Sequence, residues 1–69
     1  MTYSEDFEIE IGDTVYGVAI THYSVDYGDD GEYVERDWVI LDDEGNEVAL
    51  SLSARDERRI TRMIDEVRA

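Results

Sequence analysis

Residues 14–27, TVYGVAITHYSVDY, constrain the fold more than any other stretch of the chain. They are rich in Val, Ile, Thr and Tyr, carry no helix-capping signal and are bounded by turn residues at both ends. Such a run forms a long central strand. Its even positions Tyr16, Val18 and Ile20 make one apolar face, while odd positions Tyr23, Val25 and Tyr27 add apolar character to the other.

The flanking segments supply partners for that strand. Residues 7–11 alternate Phe7, Ile9 and Ile11 with Glu8 and Glu10, and Gly12-Asp13 suits a type II′ hairpin that pairs Ile11 with Thr14, Ile9 with Tyr16 and Phe7 with Val18. On the other side, residues 28–32 (GDDGE) form a loop whose glycines allow positive φ. Setting Tyr27 opposite Tyr33 then pairs Ile20 with Ile40 and His22 with Trp38. Residues 42–46 (DDEGN) read as a type I turn ending in a left-handed glycine, after which Val48 faces Ile40, Leu50 faces Trp38 and Leu52 follows as a fourth strand.

A helix completes the chain. Ser53 is its N-cap with Asp56 three residues on, and Ile60, Met63, Ile64 and Val67 recur at helical spacing as one apolar stripe. The expected fold is α+β: a four-stranded antiparallel meander with one C-terminal helix packed on one face (ββββα), residues 1–69 forming a single domain. The uncovered face would carry Val15, Ala19, Val39 and Leu41, with Tyr23, Val25, Tyr27 and Tyr33 toward the first loop. Either it is an ordinary solvated face, or its tyrosines serve protein contact or homodimerisation.

Composition narrows the function classes. The chain has no cysteine, so disulfides and thiolate zinc sites are excluded, and it has no apolar run long enough to span a bilayer. Its acidic N-terminal residues lack the basic start of a secretion signal, which points to a cytoplasmic protein. The formal net charge is −13, with 19 acids against six bases, all arginine. Residues 1–52 hold 15 acids and Arg36 alone among bases; residues 53–69 hold 4 acids and 5 arginines. This balance disfavours nucleic acid and anionic membrane as direct partners and favours a basic surface on a protein or nucleoprotein complex. The protein would act as a monomer or homodimer.

No catalytic constellation emerges. His22, the single histidine, falls on the helix-facing side near Trp38 in this register, without a second histidine or an activated nucleophile to work with. Residues 26–37 overlap a calcium-binding loop in part, with Asp26, Asp30, Gly31 and Asp37 at matching positions. Gly28 stands where a ligand is needed, Asp37 replaces the bidentate Glu, and the flanks are strands. No metal or other cofactor is therefore expected. Arg55, Arg58, Arg59 and Arg62 form a basic stripe opposite the apolar one. It serves either as a solvated helix face or as a site for an acidic partner.

The carboxylates remain. On a rigid sheet and its loops they present spaced negative charge of the kind that a nucleic-acid-binding groove receives. Candidate contact residues are Asp26, Asp29, Asp30, Glu32, Glu35, Asp37, Asp42, Asp43, Glu44 and Glu47, together with Tyr23, Tyr27 and Tyr33. In size, lack of cysteine and anionic excess, the chain resembles the small phage-encoded DNA-mimic inhibitors, including some anti-CRISPR proteins. The resemblance implies a protein that occupies the DNA-binding surface of a host defence complex. Adaptation to high salt is a competing explanation of the same charge, and the concentration of acid in the first 52 residues leans toward a functional surface.

Overall fold

A computed structural model describes residues 2–68. Strands β1 (Phe7–Ile11), β2 (Thr14–Gly28) and β3 (Gly31–Leu41) form one antiparallel sheet in the order β1-β2-β3, followed by helix α1 (Ala54–Arg68). The β1–β2 hairpin has the register that its alternation dictates: Phe7 opposite Val18, Ile9 opposite Tyr16, Ile11 opposite Thr14. Gly12 takes φ 65°, and Asp13, like every other non-glycine among the described residues, avoids positive φ, as a type II′ turn requires.

The β2–β3 register departs from the expected one in two steps. The hairpin closes at Gly28–Gly31 with only Asp29 and Asp30 in the turn, shorter than the five-residue loop, so Tyr33 meets Asp26 and not Tyr27. A bulge at Thr21 adds a second displacement, so that Ile20 lies opposite Trp38 and Val18 opposite Ile40. Two steps restore the original parity below the bulge, which keeps Tyr16, Val18, Ile20, Trp38 and Ile40 on one face. Above it, the extra residue reverses the parity of β2. Tyr23, Val25 and Tyr27 therefore share the side of the sheet that α1 covers, and His22 turns to the opposite face across from Asp37.

The expected fourth strand is absent. Pairing beyond the turn is limited to a single bridge between Leu41 and Glu47, with the Val48 amide donating to the Ile40 carbonyl at 2.8 Å. A strand through Leu52 would have run back along β3 and started the helix beside Arg36. Asp65, near the C-terminal end of α1, occupies that level instead, and the chain leaves the edge of β3 after one bridge. Leu50 and Leu52 keep their apolar role without ladder bonds, packing against the core from the connecting segment.

That core consists of Ile9, Val18 and Ile40 from the sheet and Ile60 and Ile64 from the helix, ringed by Phe7, Ile11, Tyr16, Ile20, Tyr23, Trp38, Leu50, Leu52 and Met63. The helix starts where the sequence indicates: the Asp56 amide donates to Ser53 Oγ at 3.2 Å, and Ser53 Oγ donates to the Asp56 carboxylate at 3.1 Å. Val67, expected in the buried stripe, is exposed.

The second face is not left bare. Gly17, Ala19 and Leu41 project to it and are nonetheless buried. Residues 2–6 cross this face as a strap from the β1 edge to the turn after β3. The Asp6 amide donates to the Val18 carbonyl at 2.7 Å, and the Asp6 carboxylate accepts from the Ile20 amide at 2.7 Å. Glu5 lies over Gly17, where an added Cβ would stand 3.3 Å from Glu5 Cβ and collide with its carboxylate. At the far end the Tyr3 amide donates to the Gly45 carbonyl at 3.0 Å and Thr2 bridges Asn46. No helix among the described residues is long and apolar enough to cross a membrane.

Candidate interaction surface

β1 pairs with β2 only as far as Val18, whereas β2 continues to Gly28. Residues 22–37 thus extend past β1 as a two-stranded arm, the source of much of the molecule's 42 Å length. Six of the 19 acids lie in these sixteen residues, against the single base Arg36. Exposed side chains on the face away from α1 include His22, Asp26, Tyr33, Glu35 and Asp37; Tyr27 and Glu32 are exposed on the helix side, and Asp29 and Asp30 form the tip.

Arg36 does not offset this charge toward solvent. Its Nε donates to Asp65 Oδ1 at 2.7 Å and its Nη2 to Asp65 Oδ2 at 2.9 Å, a two-pronged clamp between the base of the arm and the helix. The hydrogen bonds to Asp65 hold the Arg36 guanidinium above its ordinary pKa, against the opposing effect of burial. Its cross-strand neighbour Tyr23 is half-buried and packs against the core, part of the scaffold that holds the base of the arm. Sequence reasoning missed the clamp, although Arg36 stood out as the only base in the first 52 residues.

The thirteen predicted contact residues do not form one surface. Asp42, Asp43, Glu44 and Glu47 lie at the opposite end of β3 from the tip, about 33 Å away at the rise of an extended strand. Asp42 is also occupied locally: its Oδ1 accepts the Glu44 and Asn46 amides at 2.9 and 3.0 Å, holding a turn whose Gly45 has φ 83°. The tyrosine-rich second face dissolves as well, because the Thr21 bulge leaves Tyr33 alone of the predicted tyrosines on that side. What remains together is Asp26, Tyr27, Asp29, Asp30, Glu32, Tyr33, Glu35 and Asp37, all on the arm.

His22, expected beside Trp38, instead places Nε2 3.6 Å from Glu35 Oε2 on the exposed face. The calcium-loop residues Asp26 and Asp37 are separated by four rungs of the ladder, about 13 Å, which an ion of that size cannot bridge. Among the described residues no three His, Asp or Glu side chains converge on a point that could hold a metal ion. On α1, Arg55, Arg58, Arg59 and Arg62 line a shallow groove of about 400 Å³ with Met63, and Arg59 Nη1 donates to Asp56 Oδ1 at 3.0 Å. All five lining residues come from one helix, so this groove runs along a flank of α1 and is not a cavity between elements.

No protein-family profile, curated protein or solved structure matches the chain.

Proposed function

We propose that the protein is a non-enzymatic acidic binding protein whose projecting hairpin occupies a basic, nucleic-acid-binding surface of a protein or nucleoprotein target, in the manner of DNA-mimic inhibitors. The single observation that carries this reading is the arm itself. Six carboxylates sit on a narrow two-stranded ribbon that extends past β1, while its one arginine is turned inward to Asp65. On one face Glu35 and Asp37 stand two residues apart, about 7 Å, a repeat that extended backbone enforces. Negative charge at fixed spacing on a slender support suits a groove shaped for a phosphate backbone, and the excess charge accelerates encounter with a basic target.

The decisive experiment is competition. A target captured by this protein should release bound DNA or RNA, with affinity that falls steeply between 50 and about 300 mM salt as screening shortens the reach of the carboxylates. Reversal of Glu35 and Asp37 to arginine should abolish capture without unfolding the chain. Capture that is insensitive to salt, or that leaves nucleic acid bound, would remove this function.

A further inference from the structure

The arm carries two exposed aromatic rings, and each is set beside a carboxylate. Tyr33 lies directly across the ladder from Asp26 on the face away from α1, and Tyr27 lies directly across from Glu32 on the helix side. Their exposures are 54% and 82%, high for residues that strands usually bury. Cross-strand partners hold their Cβ atoms about 5 Å apart, so ring and carboxylate share one patch.

The Tyr33 ring is also given a seat. A Cβ added at Gly28 would stand 3.1 Å from Tyr33 Cε2 and 3.6 Å from Cδ2, so the ring lies against the bare backbone of Gly28. A side chain there would push it off the strand. The ring rests on Gly28 with more than half of the residue open to solvent and Asp26 as its direct cross-strand partner.

A π-face next to a carboxylate is the chemistry that receives a guanidinium. The plane stacks on the ring while its N–H groups bond the oxygens, and arginine does both better than lysine. We propose that Tyr33 with Asp26 and Tyr27 with Glu32 are two arginine-receiving sites, one on each face of the arm. The inference rests on the acidic-binding reading above and sharpens it in one respect. A partner that engages both sites must close around the ribbon from two sides, so it is a cleft lined by arginines and not a flat basic surface.

The test uses the full isotopically labelled chain, titrated with an octa-arginine peptide and, separately, an octa-lysine peptide, followed by amide and aromatic NMR shifts. Expected are shifts at Asp26, Gly28 and Tyr33 and at Tyr27 and Glu32 in the same titration, with tighter binding of the arginine peptide. Tyr27→Ala and Tyr33→Ala leave net charge unchanged and should each weaken it about two- to fivefold, the range of an exposed cation–π contact, whereas Tyr27→Phe and Tyr33→Phe should retain it. Thermal melts confirm that each variant is folded.

Alanine variants that bind the arginine peptide as the wild type does would overturn the inference, as would equal affinity for the two peptides. Arm shifts that follow protein concentration without peptide would also overturn it, by assigning the rings to a second copy of the chain. Unchanged alanine variants combined with nucleic-acid displacement that is lost on charge reversal would leave the acidic-binding reading standing. Arginine-peptide binding at both pairs without any nucleic-acid displacement would do the converse.

Discussion

A double-mutant cycle on the Arg36–Asp65 clamp probes the connection between arm and body. Two N–H···O bonds of 2.7 and 2.9 Å join the side chains. Unit charges about 4 Å apart attract by about 4 kcal/mol at an effective dielectric of 20, before desolvation and lost side-chain freedom are counted. With the side chains 26% and 44% exposed, solvent screening reduces the net coupling to about 1 kcal/mol. In a chain of 69 residues that corresponds to about 4–8 °C in Tm. Arg36→Met should cost more than Asp65→Asn, because it leaves a carboxylate in an already anionic protein, whereas the Asp65 change relieves repulsion. The double variant should lose less than the sum of the two.

Thermal unfolding of the four proteins measures the coupling, and hydrogen exchange adds a local readout: amides of residues 23–36 should exchange faster in Arg36→Met. The raised pKa of Arg36 fixes the sign of its pH dependence. Its contribution is complete below the pKa of the unfolded chain and is lost only as pH rises through the still higher folded value, so titration of Arg36 leaves the coupling flat through neutral and moderately alkaline pH. A coupling below about 0.3 kcal/mol, the level at which distant residues add independently, would show that the clamp is incidental to stability.

Three further outcomes can be checked on the body of the protein. Ile64 is fully buried against the sheet, and Ile64→Ala should cost about 3 kcal/mol in urea unfolding; a loss under about 1 kcal/mol would mean that the helix is not seated as described. Gly45→Ala places a Cβ at positive φ and 3.3 Å from the Tyr3 carbonyl oxygen, so a loss of about 1–2 kcal/mol and a displaced strap are expected; unchanged Tyr3 protection from exchange would refute the strap geometry. Deletion of Thr21 removes the bulge yet leaves Ile20–Trp38 and His22–Asp37 as consecutive pairs, so NMR contacts should still set Tyr23 against Arg36. Transfer of Tyr23 to the other face would contradict the register.

Local chemistry made much of this architecture legible in the sequence. The β1–β2 register followed from Gly12-Asp13 and the alternation around it, the 42–46 turn from Gly45, and the helix start from Ser53. What escaped depended on groups far apart in the chain. Thr21 has no composition that marks a bulge; its displacement is evident only once the tight turn at Asp29-Asp30 and the core pairing of Ile20 with Trp38 are both in place. The alternating Val48, Leu50 and Leu52 fit a strand, but the chain leaves β3 after the Leu41–Glu47 bridge and both leucines pack on the core, with Asp65 and not the start of α1 at Arg36. The strap of residues 2–6 lacks periodicity altogether and is held by amides, Asp6 and the bare backbone of Gly17. For the proposed interaction surface, charge alone picked out the acids of the arm together with those of the 42–46 turn, because composition carries no distance.

The bulge at Thr21 also has a mechanical meaning. It stands where the arm leaves the three-stranded part of the sheet, and from there to the tip at Asp29 the ribbon measures about 25 Å at the rise of an extended strand. A ribbon of that length is a lever, and load at its tip falls on the Arg36–Asp65 clamp, which holds the arm to the helix just beyond the bulge. Rotation by about 10° at the bulge would swing the tip sideways by about 4 Å, on the scale of one strand spacing, and would have to stretch that clamp and lift Tyr23 from the core.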